Sequence, residues 1–107
     1  MGDITIGKGN LAGKGVYANR FFAKGEVVVE YHLQILTEDE FYKLPKSEQT
    51  FTHKREGVIY LYLEPERYVN HSDDPNTVQD FINGCDVASR DIQKGEIITT
   101  DATKEDF

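Results

Sequence analysis

Apolar residues come in short stretches, and a turn-forming residue closes almost every one. Asp3-Ile4-Thr5-Ile6 alternates polar and apolar, the period of a strand with one buried face. Val16-Tyr17-Ala18 and Glu26-Val27-Val28-Val29-Glu30-Tyr31 predict two further strands, the second rich in β-branched side chains that suit a pleated surface. Ala23-Lys24-Gly25-Glu26 is the turn between them. Thr37 and Glu40 have the spacing of a capping box, which predicts a short helix over 38–44 that stops before Pro45. Residues 46–56 are polar and show no period. The run Val58-Ile59-Tyr60-Leu61-Tyr62-Leu63 predicts a strand. Thr77 to Ile82 and Asp86 to Arg90 flank Asn83-Gly84, the strongest hairpin signal in the chain. Glu96 to Thr100 follows the turn at Lys94-Gly95 as a last strand. Many short strands and one or two short helices predict a mainly β domain of the β-rich α+β class. A Lys-Gly-Glu turn leading into a β-branched strand occurs twice, at 23–28 and 93–98, and is short enough to be an ordinary turn signal.

Composition narrows the picture. At 107 residues the expectation is one domain, 1–107, burying about two-thirds of its unfolded surface. Six Tyr, six Phe and 38% hydrophobic residues exclude disorder as the default. The longest apolar run is six residues, so no membrane span is expected. The N-terminus has no signal-peptide pattern, and Ile6 breaks the myristoylation pattern. Twelve basic against nineteen acidic residues give a net charge of −7, which argues against direct nucleic-acid binding and favours a cationic partner such as a Lys-rich peptide. The single Cys85 and the three histidines His32, His53 and His71 support neither a disulfide nor a structural zinc site. No metal and an intracellular location are expected.

Two segments are candidates for chemistry. Gly7-Lys8-Gly9-Asn10-Leu11-Ala12-Gly13-Lys14-Gly15 fails as a P-loop, because Gly9 leaves three residues and Gly7 five before Gly13-Lys14, and Gly15 follows the lysine. It fails as a dinucleotide fingerprint too. It remains a glycine-rich hairpin where backbone can approach a ligand, or a plain flexible loop. Arg67-Tyr68-Val69-Asn70-His71-Ser72-Asp73-Asp74-Pro75-Asn76 leads from apolar residues into a polar turn that Asn and Ser side chains can shape by themselves. No nucleophile, histidine and carboxylate stand in a triad pattern.

Taken in order, Gly13-Lys14-Gly15-Val16-Tyr17-Ala18, Lys24-Gly25-Glu26, Asn70-His71-Ser72-x-x-Pro75-Asn76 and Gly95-Glu96-Ile97-Ile98-Thr99 resemble the SET domain of protein-lysine methyltransferases, over about residues 5 to 101. The resemblance implies several small sheets (a β-clip-like fold) with a C-terminal pseudoknot, in the short form without pre-SET or post-SET zinc segments. It implies S-adenosylmethionine as cofactor and a basic, lysine-containing protein or peptide as substrate. The backbone of Ala12, Gly13, Lys14 and Gly15 would hold the cofactor's methionine end, and Asn70 and His71 would contact it from the knot. Tyr60 or Tyr62 would supply the aromatic group at the cofactor or in the lysine channel. Lysine has to be neutral to attack a methyl group. With a free pKa of about 10.4, roughly one in 2,500 is neutral at pH 7, a handicap of about 4.6 kcal/mol. An apolar channel beside a sulfonium cation would lower that pKa.

Two departures from the family pattern stand out. Ala102 occupies the position at which the family carries its catalytic tyrosine. The chain also lacks a cysteine-rich C-terminal segment to close the site, a role that Phe107 or the second subunit of a homodimer would have to take. The alternative expectation is therefore a catalytically impaired SET-fold module with a binding or regulatory role.

Overall fold

Short apolar stretches separated by turns bury themselves only by stacking several small sheets, and the computed structural model, which describes residues 2–104, has this arrangement. Along the chain come β1 (Ile4–Leu11), β2 (Lys14–Ala18), β3 (Val27–Glu30), β4 (Gln34–Leu36), α1 (Glu38–Lys43), α2 (Lys46–Gln49), β5 (Thr52–Arg55), β6 (Val58–Leu61), β7 (Asn70–His71), β8 (Thr77–Asp80), β9 (Cys85–Ala88) and β10 (Ile97–Thr100). They form a four-stranded sheet β1-β2-β10-β7 and two three-stranded sheets, β3-β9-β8 and β4-β6-β5. Val16, Phe22, Ile92 and Ile98 are fully buried where the first two sheets meet.

Most predicted elements appear with small changes. The capping box is present: Glu40 N–H donates to Thr37 Oγ1 at 3.1 Å, and Thr37 N–H donates to Glu40 Oε1 at 2.9 Å. The unassigned stretch 46–56 contains α2 and β5, and β4 was not anticipated. The hairpin at Asn83-Gly84 exists, but its loop is the four residues 81–84, with Asp80 opposite Cys85. Asp80 draws Asn83 back by accepting from its N–H and its side-chain amide, at 3.0 and 2.8 Å. The glycine-rich segment is mostly strand rather than loop. Gly7 lies under the Tyr17 ring, where a Cβ would come within 2.8 Å of Cε1. At Gly9 a Cβ would stand 2.3 Å from the Lys14 carbonyl oxygen, at a shift in the β1–β2 register. Glycine therefore permits close pairing here, in addition to turning.

The twice-occurring Lys-Gly-Glu turn proves structural. Ala18 N–H donates to Glu96 O and Gly95 N–H to Ala18 O, at 2.9 and 2.8 Å; Ala88 N–H donates to Glu26 O and Gly25 N–H to Ala88 O, both at 2.8 Å. Phe22 and Ile92 bridge the two halves by exchanging both backbone bonds. Each glutamate caps its own turn, Glu26 through Ala23 N–H and Glu96 through Gln93 N–H. In the ladders, Val27 faces Val87 as Ile97 faces Tyr17. The two halves are thus wired reciprocally, and the strand after each turn completes the other half's hairpin.

This exchange brings the C-terminal strand into the middle of the first sheet. β10 runs antiparallel to β2 and parallel to β7, with Thr99 beside Asn70 and Thr100 beside His71. The segment after β7 then grips β10 from its other side. Asn76, buried, donates through Nδ2 to Ile97 O at 2.9 Å and accepts from Thr99 N–H at 2.9 Å; Thr77 Oγ1 donates to Thr99 O at 2.7 Å. This clasp is the knot expected from the resemblance. Asn76→Ala leaves buried backbone groups of β10 unpaired and is expected to destabilise the protein by about 2–4 kcal/mol in urea unfolding; a loss under about 0.5 kcal/mol would show that the clasp does not hold β10.

Candidate functional site

The tip of the β1–β2 hairpin is the two residues Ala12 and Gly13, at φ 54° and 79°, with Leu11 opposite Lys14. Positive φ at both positions is the type I′ geometry that matches strand twist, and it costs about 1–2 kcal/mol at alanine. Two bonds hold it: Gly9 N–H donates to Gly13 O at 3.1 Å, and Asn10 N–H donates to Asn70 Oδ1 at 2.8 Å. Asn70 is 3% exposed, and its Nδ2 donates to Lys14 O at 3.0 Å and to Tyr68 O at 2.9 Å. Both amide hydrogens and the amide oxygen are therefore engaged with the protein. The Asn70 side chain acts as a clip between hairpin and knot, and its backbone is paired with β10. Above Gly13, a Cβ would meet no atom within 4 Å, so the tip is open, while Gly15 is buried against Ile97. Lys14 Nζ lies 4.9 Å from the centre of the Tyr68 ring.

His71 joins the knot to the C-terminal segment. Its Nδ1 accepts from Ala102 N–H at 3.0 Å, which leaves Nε2 as the protonated nitrogen facing Asp73 Oδ1 at 3.1 Å. Ser72 N–H adds a bond to Thr100 O at 2.9 Å. Ala102 is thus anchored beside His71, but a methyl group is all it can present.

Beside this junction lies a cavity of about 170 Å³. Leu11 of the hairpin, His71, Thr100 and Ala102 of the knot, and the side chains of Tyr31, Phe51, Tyr62 and Asp86 line it. The cavity therefore runs from the hairpin–knot junction to two tyrosines. Tyr62 is buried, edge-on to Tyr31 with ring centres 6.0 Å apart. The Tyr31 hydroxyl donates to Asp86 Oδ1 in a very short hydrogen bond. Burial first, then the Asp86 charge and this bond, push the Tyr31 phenol far above its ordinary value, so it keeps its proton. Glu66 and Arg67 complete the wall with their charges already committed. Glu66, buried, accepts from His32 N–H and Leu63 N–H and faces His32 Nδ1 at 2.9 Å. Arg67 forks onto both Glu48 oxygens at 2.9 and 3.0 Å and covers the Phe51 ring.

Of the residues singled out by sequence, Ala12 to Gly15, Asn70, His71, Tyr62 and Ala102 converge on this region. Tyr60 does not line the cavity; it pairs across the sheet with His53 and stacks on its ring at 5.6 Å. Phe107 lies outside the described residues. Tyr31, Asp86 and Thr100 were missed. A charge inside the strand Cys85-Asp86-Val87-Ala88 was the available signal for Asp86. Among the described residues no group of three His, Cys, Asp or Glu is placed to hold a metal, and no helix is long and apolar enough to cross a membrane.

A family model described as SET domain matches residues 13–101. Among solved structures, the crystal structure of a Plasmodium falciparum protein described as a "putative histone methyltransferase" has a TM-score of 0.73 and 23% identity, covering 94% of this chain and 93% of that one. At that identity the likeness concerns the fold. A comparison with curated proteins gives no match.

The raised Tyr31 phenol fixes a pH dependence. Unfolded tyrosine ionises near pH 10, whereas folded Tyr31 holds its proton, so its stabilising contribution is complete below that pH and is lost as pH rises. Urea unfolding of the wild type between pH 9 and 11 should therefore steepen relative to Tyr31→Phe, by up to about 1.4 kcal/mol per pH unit. Parallel curves would contradict the assignment.

Proposed function

The chain belongs to the SET-domain family, and from that premise we propose that it is an S-adenosylmethionine-dependent N-methyltransferase acting on a lysine side chain of a basic protein or peptide. One observation carries the reading: a single cavity is walled by the hairpin, the knot and two tyrosines. The residues present suit the cofactor. The tip at Gly13 is open to an approaching ligand, and Leu11 and His71 border the same space. The backbone of Ala12, Gly13 and Lys14 would hold its methionine end, and Asn70 and His71 would contact it from the knot.

S-adenosylmethionine, when bound, supplies a methyl group on a sulfonium cation. The protein's part is to make lysine neutral and to aim it. Phe51, Tyr62 and Tyr31 give the inner cavity aromatic walls, and desolvation of an amine against them would lower its pKa. The narrow wall also fixes the approach of the nitrogen, which replaces a search in solution with one geometry. The net charge of −7 favours encounter with a basic substrate.

Ala102 favours a second reading, a SET-fold module that binds without turnover. Its N–H sits on His71, so the family's tyrosine position is held in place but carries no hydroxyl. Radiolabelled methyl transfer to a Lys-rich peptide separates the two. The methyltransferase reading expects measurable transfer by the wild type and an increase of about tenfold in Ala102→Tyr, equivalent to about 1.4 kcal/mol of barrier. Cofactor binding with no transfer by either protein would establish the binding module instead.

A further inference from the structure

The sheet β3-β9-β8 turns one face to the cavity and the other to solvent, and the solvent face is apolar where polar residues are the rule. Residues opposite each other in an antiparallel ladder share a face. Val29, Asp86 and Gln79 stand abreast, and Asp86 and Gln79 line the cavity. Their neighbours along each strand point the other way, so the rows Val27-Val87-Val78 and Glu30-Cys85-Asp80 share the outer face. Val27 is 47% exposed and Val78 59%, and Val87 between them is half-buried. Three valines abreast span about 10 Å, two strand spacings. Past the end of β8, Ile82 is 91% exposed, and Val78, Val87, Phe81 and Ile82 wall a shallow groove of about 490 Å³. Isolated exposed valines are ordinary, whereas a continuous apolar patch with a charged rim marks a binding surface.

The charges at the rim say what covers this patch. Glu30 and Asp80 flank Cys85, whose thiol is pushed up by burial first and then by the charges of Asp80, Asp86 and Glu30. Glu30 is exposed, and among the described residues no cation forms an ion pair with it or with Asp80. Asp80 accepts from the side-chain amide and the N–H of Asn83, and these bonds hold its carboxyl below its ordinary value, so it stays charged. Arg55, also in the groove wall, lies with its guanidinium 5.2 Å from the centre of the Phe81 ring. A second copy of this chain, docked face to face, would set Glu30 and Asp80 against their own kind, with a net charge of −7 on each chain. A basic partner meets the carboxylates with opposite charge, and the aliphatic stem of a lysine also covers apolar surface.

We propose that the outer face of β3-β9-β8 docks a basic segment of another protein, one that lays aliphatic side chains on Val27, Val87, Val78 and Ile82 and sets lysine or arginine against Glu30 and Asp80. The surface is separate from the cavity, because the sheet lies between them. It is also independent of the methyltransferase reading: an enzyme and a binding module would both hold a basic chain here without occupying the cavity.

NMR shift mapping on the whole chain tests this. The probe is a short peptide alternating lysine and leucine, with two controls in which glutamate replaces lysine or serine replaces leucine. The lysine–leucine peptide should shift amides at 27–30, 78–82 and 85–87, and both controls should bind about tenfold more weakly or worse. Val27→Ser combined with Val78→Ser should cost about tenfold in affinity, and Glu30→Gln about threefold with a shallower dependence on salt. All three side chains are exposed, and unchanged shifts elsewhere in the spectrum report an intact fold. Shifts centred on the cavity lining or scattered over the surface overturn the proposal. So does an affinity that the variants leave undiminished, or a serine control that binds as well as the leucine peptide, since charge alone would then account for binding. Self-association of the wild type in sedimentation, abolished by Val78→Ser, would assign the patch to a second copy and overturn the basic partner.

Discussion

One buried amide holds the site together. Asn70 binds Asn10 N–H and Lys14 O, on the two strands of a hairpin some sixty residues earlier, and Tyr68 O in its own segment. An Asn side chain has two donor hydrogens and one acceptor oxygen, and these three bonds engage each of them. The cost of leaving such groups unpaired in the interior makes the juxtaposition of hairpin and knot a condition of folding. A ligand that needs both segments finds them already placed.

The reciprocal turns supply the frame. Because the strand after each Lys-Gly-Glu turn completes the opposite half's hairpin, neither half can bury its apolar face alone. Val28 and Ile98, equivalent in the two halves, both lie in the core, as do Phe22 and Ile92. The exchange sends β10 between β2 and β7, and that placement carries Thr100 and Ala102 to the cavity. The symmetry fails at Val16 and Asp86. Asp86 is buried like Val16 but lies at the wall of the cavity.

What the sequence made legible was local. β-branched runs marked β3, β6 and β10, and the Thr37–Glu40 pair marked the start of α1, because each depends on neighbours a few residues away. Gly7 and Gly9 read as loop because their reason lies across the hairpin, in the Tyr17 ring and the Lys14 carbonyl. β4 is three residues long, too short to show a period. The tyrosine pair could not be separated by pattern. Tyr60 and Tyr62 share a parity, but β6 ends at Leu61, and past it the chain carries only Tyr62 to the cavity. Pattern marks Tyr31 only as a strand residue, since its partner Asp86 lies fifty-five residues on. Asn70 lies beside the hairpin, but its side-chain partners are backbone groups that no motif spells out.

The central claim is that hairpin and knot form one receptor for a sulfonium nucleotide. Hydrogen exchange during titration with S-adenosylmethionine tests it most directly, read at the amides of residues 9–15 and 69–72. The account predicts that both segments gain protection together, with one shared midpoint. Protection of one segment without the other, or of neither at saturating ligand, would contradict it.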